Sequence, residues 1–114
     1  MRRVTRDIDP AEADDLLVRV PRACLSWVAG DGPRVAPVDV RRTGDTVEVR
    51  ARVGEPLPGA GEVVLLIDEG VAFFDLRGGS WRGTILDASP EGWQPLLVAR
   101  SNAWDYGRLR EVTP

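Results

Sequence analysis

The chain has 114 residues, 43% of them apolar, with 12 glycines and 9 prolines and no bilayer-length apolar run, which predicts one small turn-rich domain spanning residues 1–114. All 15 basic residues are arginine and 18 acids leave a net charge of -3, a balance that argues against a general nucleic-acid binder, whose affinity rests on excess positive charge meeting phosphates. Histidine is absent and cysteine occurs once, which excludes histidine bases, histidine metal triads, four-cysteine zinc sites and internal disulfides, so no metal site is expected and no catalytic side chain identifies itself.

The amino terminus, Met1 to Asp7, is positively charged with no apolar segment behind it, which predicts neither a secretory signal nor a membrane anchor and makes the cytoplasm the expected location. Cys24, flanked by Ala23 and Leu25, is consistent with a reducing compartment. Asp9-Pro10-Ala11-Glu12 reads as a helix start: Asp9 can cap, Pro10 suits the first helical position, and Glu12 stands where a capping-box carboxylate reaches back. Ala13, Leu16, Leu17 and Val20 then fall on one helical face and Pro21 ends the pattern, which predicts a short helix over about 10–20 packed on a core as a lid or plug.

Beyond Pro21 the pattern changes to short strands separated by turn signals. Strands are expected over Cys24 to Ala29, Arg34 to Arg42 and Thr46 to Val53, joined at Gly30-Asp31-Gly32-Pro33 and Gly44-Asp45 as two successive hairpins. A two-residue Gly44-Asp45 turn sets Arg41 opposite Glu48 and Asp39 opposite Arg50. On the other face it sets Val40 against Val49, Val38 against Ala51 and Ala36 against Val53. Arg41 and Arg50 then have partners, which leaves Arg34 and Arg52 as the arginines without an obvious mate. Pro37 cannot donate to a ladder and marks an edge or a bulge.

Gly54 to Gly61, with two prolines, is a loop, and the unbroken run Val63 to Ile67 reads as a central strand covered on both faces. Asp68-Glu69-Gly70 turns into a strand over Val71 to Arg77, Gly78-Gly79 turns into Trp81 to Leu86, and a last strand covers Leu96 to Trp104. The expected fold is mainly β: a six- to seven-stranded antiparallel barrel or sandwich over about 23–104 with one short N-terminal helix and a tail at 105–114. Closure into a barrel is favoured because it removes edges that so small a chain can hardly cover.

Few groups declare chemistry. No phosphate-loop, GxGxxG, GxSxG or HExxH pattern occurs. Asp14-Asp15 and Asp68-Glu69 are adjacent pairs whose members point apart, so ordinary solvation is expected rather than an acid/base dyad. Cys24 has no histidine to activate it and reads as a small buried hydrophobe. Trp27, Trp81, Trp93 and Trp104 suit a core or a subunit interface, or alternatively a stacking surface for a planar ligand. Asp105-Tyr106-Gly107-Arg108 suits a dimer contact or the rim of a ligand site.

The series Cys24-Leu25-Ser26-Trp27-Val28, Gly30-Asp31-Gly32-Pro33-Arg34-Val35-Ala36-Pro37-Val38 and Gly44-Asp45-Thr46-Val47 resembles the pyridoxamine 5′-phosphate oxidase-like, FMN-binding split-barrel flavoproteins. In that family a strand, a Gly-rich turn, a strand of the form Arg-Val-x-Pro-Val and a third strand recur in this order. The likeness continues through Val63 to Asp68 and Trp81-Arg82-Gly83-Thr84, so that it covers about residues 10–104. It implies a split barrel working as a homodimer, with FMN or a deazaflavin between the subunits and an oxidoreductase chemistry in which the cofactor transfers hydride. Carried over, Arg34, Val35, Ala36, Pro37 and Val38 approach the ring system, while Arg50, Ala51 and Arg52 lie towards the cofactor phosphate, where a guanidinium fork is apt. The charge pairing above favours Arg52 and Arg34 over Arg50.

Two departures from that family support a different reading. Val53 to Gly61 holds two prolines where members carry a basic or hydroxyl-bearing loop and a helix, and Glu55 has the wrong sign for a phosphate grip. The alternative is a non-catalytic dimeric barrel that has lost the FMN grip and binds another small planar ligand or a protein partner. Nucleic acid and membrane are not expected partners.

Overall fold

The computed structural model describes residues 3–52, 56–72, 75–108 and 110–112. In chain order these form β1 (Arg3–Thr5), β2 (Asp7–Ile8), a 3-10 turn (Pro10–Ala13), α1 (Leu16–Arg19), β3 (Arg22–Ala29), β4 (Gly32–Thr43), β5 (Thr46–Ala51), β6 (Gly61–Glu69), β7 (Arg77–Ile85), β8 (Gln94–Asp105), a second 3-10 turn (Tyr106–Arg108) and β9 (Arg110–Val112). The main sheet runs β2-β8-β5-β4-β3-β6-β7, all antiparallel, and β7 also pairs with β8. Six strands therefore close into a ring, with β2 laid outside on β8, while β1 and β9 make a separate ribbon. The mainly β expectation holds, and the ring is split in character, because β5 meets β8 only over Val47 to Val49.

Alternation fixes which side chains enter the ring. Leu25, Val38, Val47, Val49, Val63, Leu65, Ile67, Trp81, Ile85, Leu96 and Ala103 all point inward and are buried, and Ala13, Leu16 and Leu17 plug one end. The plug is the predicted helix in two pieces. Asp9 caps it as expected, its Oδ1 accepting from Ala11 N at 3.0 Å. Helical pairing breaks at Asp14 and resumes as one turn ending on Val20, a β-branched residue at φ 43. Glu12 carries its carboxylate to Arg108, 2.7 Å away.

The β4–β5 hairpin has the predicted register, with Arg41 opposite Glu48, Asp39 opposite Arg50, Val40 opposite Val49 and Val38 opposite Ala51; the expected Ala36 and Val53 pair lies outside the described residues. Gly44 takes φ +60 at the first central position of the turn, the requirement of a type II′ hairpin. Pro37 lies in a strand with neighbours on both sides, and its effect is to stop one ladder. Arg52 N donates to Pro37 O at 3.4 Å, but Pro37 has no N–H to return, and the β4–β5 pairing ends at Val38.

Four expectations are corrected. The β6 run is covered on one face only: Val63, Leu65 and Ile67 are buried, whereas Val64 and Leu66 are half-exposed on the outside. Val71, Ala72, Asp75 and Leu76 belong to a loop rather than a strand, folded back by Asp75 N donating to Ala72 O; Phe73 and Phe74 lie outside the described residues. Gly78 and Gly79 sit within β7, where they make room for aromatic rings: a Cβ on Gly78 would lie 2.6 Å from the Trp104 ring, and one on Gly79 would lie 2.7 Å from that of Trp81. The tail is ordered into the second 3-10 turn and β9, which returns to β1.

Ionic contacts tie the plug to the ring. Arg77, at the head of β7, reaches Asp15 at 2.6 Å and Glu69 at 3.2 Å, and Arg19 reaches the same two carboxylates at 2.7 and 3.0 Å. Asp15, Asp68 and Glu69 are thus ion-paired rather than merely solvated, for Asp68 also meets Arg22 at 3.0 Å, whereas Asp14 is exposed as expected. Hydrogen bonds from Arg77 and then Arg19 hold the Asp15 carboxyl well below the ordinary range, and Arg19 and then Arg77 lower that of Glu69.

Two predictions follow from this packing. β7 and β8 slip register between Arg82 and Gly83, and a Cβ on Gly83 would lie 1.9 Å from Leu97 O, so Gly83→Ala is expected to lower stability by roughly 1–3 kcal/mol in urea unfolding. Because folding depresses the Asp15 and Glu69 pKa values, their contribution is complete above the unfolded carboxylate range near about pH 4 and is lost on acidification below it. Melting temperature should fall below that pH, and less steeply in Asp15→Asn.

Candidate functional site

Two clefts on the outside of the ring involve β4. The first, of about 430 Å³, is lined by Trp27, Val28, Arg34, Val35, Val64 and Arg82 among others, at the β3–β4 turn. Its surface is largely apolar, and Val28 and Val35 on its rim are 83% and 65% exposed. The second, of about 330 Å³, is polar and lies between the end of α1 and the β4–β5 hairpin; Arg22, Arg50, Arg52, Asp39 and Trp93 supply its side-chain chemistry. Val20 and Val38 also line it.

The second cleft owes its form to Trp93. That indole is buried between two guanidinium groups, with Arg41 Cζ 4.3 Å and Arg50 Cζ 4.4 Å from the ring centroid. Cation–π attraction holds both arginine stems down. Gly92, at φ +88, brings the chain against the stem of Arg50. Arg41 is also held by Glu48 at 3.0 Å, and that guanidinium lowers the Glu48 pKa. Asp39 is shared, with Arg50 at 3.4 Å and Arg52 at 3.2 Å. Two guanidinium groups thus share one carboxylate in the cleft, with Arg22 beside them paired to Asp68, which leaves a surplus of one positive charge suited to an anion.

The residues predicted for a cofactor do not form one cluster. Arg34 and Val35 line the first cleft, whereas Val38, Arg50 and Arg52 line the second. Ala36 is buried in the ring, Pro37 is exposed on β4 between the clefts, and Ala51 is half-buried beside Val38. Neither Arg34 nor Arg52 is unmated, which corrects the expectation: Arg34 bonds Asp31 at 2.5 Å, within its own turn, and Arg52 bonds Asp39. The preference for Arg52 over Arg50 lapses with it, since both use the same carboxylate. Asp31 was missed because a residue three positions away in a hairpin turn is not a cross-strand partner.

The other candidates are structural in their contacts. Cys24 is half-buried, and burial and Asp68 push its thiol pKa up, away from reactivity. Trp81 is in the core, Trp104 packs over Gly78 with Arg6 at 6.0 Å, and Trp27 lines the first cleft. Glu55 lies outside the described residues, but the loop that follows it is anchored, with buried Gln94 donating through Nε2 to Pro58 O at 2.7 Å and Leu86 O at 3.1 Å. Among the described residues no group of acids or cysteine is placed to hold a metal ion, and no helix is long and apolar enough to cross a membrane.

No protein-family model matches the sequence, and no curated protein matches it significantly. Among solved structures the fold is similar to that of an FAD-binding protein from Mycobacterium smegmatis, with a TM-score of 0.66 and 15% identity over 90% of this chain and 96% of that one. The likeness is one of fold.

If Trp93 organises the second cleft, Trp93→Ala should both release Arg41 and Arg50 and open a cavity, costing about 3–5 kcal/mol in equilibrium unfolding.

Proposed function

We propose that this protein binds a flavin along the outer face of β4, as a homodimer of the pyridoxamine 5′-phosphate oxidase-like type. The observation that carries the reading is the spacing of the two clefts. Val35 at the apolar cleft and Asp39 at the arginine cleft both face outward from β4, four residues and about 13 Å apart, a span comparable with that between a flavin ring and its terminal phosphate.

The side chains fit such a group. Trp27, Val35 and Val64 offer apolar and aromatic surface to a planar ring. Arg50 and Arg52, offset by Asp39, leave about one positive charge for a phosphate, with Arg22 beside them already paired with Asp68. A bound FMN or deazaflavin supplies the hydride chemistry of an oxidoreductase, and the protein supplies orientation and charge. No side-chain acid or base is demanded, in keeping with a chain that has no histidine. The fold shared with an FAD-binding protein supports the choice of a flavin, and the exposed Val28 and Val35 support a second copy covering the apolar rim.

The non-catalytic module remains the second reading, favoured by one observation: Arg34 and Arg52 already hold carboxylates of their own chain. Titration with FMN, FAD and a deazaflavin, followed by flavin fluorescence with sedimentation on the same sample, separates the two. Saturable binding by a dimer is expected, weakened about tenfold in Arg52→Ala and in Trp27→Ala. A folded protein that binds none of the three, or whose affinity ignores both substitutions, overturns the flavin reading.

A further inference from the structure

Beside the apolar cleft, with which it shares Val64 and Arg82, the outer face of β6, β7 and β8 carries an arrangement that the ion pairing elsewhere does not explain. Arg82 on β7 stands directly opposite Arg100 on β8, and Ser80 stands opposite Asn102 one rung along on the same face. Like charges at directly opposed positions repel. On the β4–β5 hairpin, by contrast, Arg41 and Arg50 meet Glu48 and Asp39 across the ladder. Here Arg100 has no carboxylate partner among the described residues, and Arg82 has only Glu62 at 3.7 Å, on side chains that are 55% and 73% exposed. A rim contact of that length contributes little.

The backbone maintains the opposition. The register slips immediately beyond the pair, with Arg82 facing Arg100 but Gly83 facing Val98, so that Ala99 is the extra residue of a bulge. Gly83 permits it, since only a residue without a Cβ fits against Leu97 O. Val64, Ser80, Arg82, Arg100 and Asn102 line a hollow of about 190 Å³. Two guanidinium forks, a hydroxyl and a carboxamide around one small hollow match a tetrahedral oxyanion in charge and in donor number.

We propose that the Arg82–Arg100 hollow is an anion site that takes the phosphate group of a small phosphorylated molecule. It is separate from the flavin phosphate at Arg50 and Arg52, although Val64 and Arg82 also line the apolar cleft proposed for the flavin ring. Binding there removes the repulsion between the two arginines, so occupancy is coupled to the stability of the β7–β8 ladder that closes the ring.

The test uses inorganic phosphate as the probe, against chloride at matched ionic strength, with thermal melting of the full chain. Phosphate is expected to raise the melting temperature saturably in the wild type and in Arg52→Ala, and to lose that effect in Arg100→Gln and Arg82→Gln. In low-salt buffer without phosphate, Arg100→Gln should melt no lower than the wild type, because it removes a repulsion; this shows that the variant is folded. The proposal is overturned if phosphate has no effect on the wild type, if its effect survives in Arg100→Gln, or if Arg52→Ala abolishes it. A change of oligomeric state in Arg100→Gln with the phosphate response intact also overturns it, since the pair is then a subunit contact. Loss of flavin binding in Arg52→Ala with the phosphate response retained leaves this site standing on its own.

Discussion

Everything in this molecule depends on β7 pairing with two partners at once. By bonding to β6 along one edge and to β8 along the other, it joins the two ends of the sheet into a ring, left partly open where β5 meets β8 only over Val47 to Val49. Closure decides what is inside. A ring of six strands in so short a chain has an interior just wide enough for side chains, and Leu25, Leu65, Ile67, Trp81 and Ile85 fill it. Side chains thus take up the interior, and both clefts and the Arg82–Arg100 hollow lie on the outer surface. The constraint is strict at β7, where Gly78, Gly79 and Gly83 each stand where a side chain would collide with a ring or a carbonyl.

Arginine does on the outside what apolar contact does within. Arg41 with Glu48, and Arg50 with Asp39, brace one hairpin, while Arg19 and Arg77 bind the plug to β6 through Asp15 and Glu69. Exposed pairs of this kind add little each, but a network around a partly buried guanidinium such as that of Arg77 fixes geometry. Arginine also serves where lysine cannot, because its flat group lies on an indole while its edges bond a carboxylate, as Arg41 does with Trp93 and Glu48.

Local rules made much of this readable before any coordinates. The Gly44-Asp45 turn has a fixed length, and length sets register, so the β4–β5 pairs from Val38 with Ala51 to Arg41 with Glu48 could be written down from the alternation of valine and charge. The cap at Asp9 is similarly local. What failed was non-local. Gly78-Gly79 looks like a turn in sequence, and it is the Trp104 ring arriving from β8 that explains glycine at 78, as the Trp81 ring does at 79. Arg52 looked unmated because Asp39 had been assigned to Arg50, and pairwise reasoning does not foresee one carboxylate serving two guanidinium groups. The site was half legible for the same reason: Arg50, Arg52 and Val38 do meet, but Arg22 and Trp93 join them from elements distant in sequence.

The ribbon of β1 and β9 has a consequence for how the protein can be carried. Arg3 is paired with Val112, which sets the two ends of the described chain about 5 Å apart on one side of the molecule. Whatever is joined to either end therefore departs from the same doorway. Two attached modules would begin as neighbours, at high local concentration towards each other, rather than being held apart by the width of the ring.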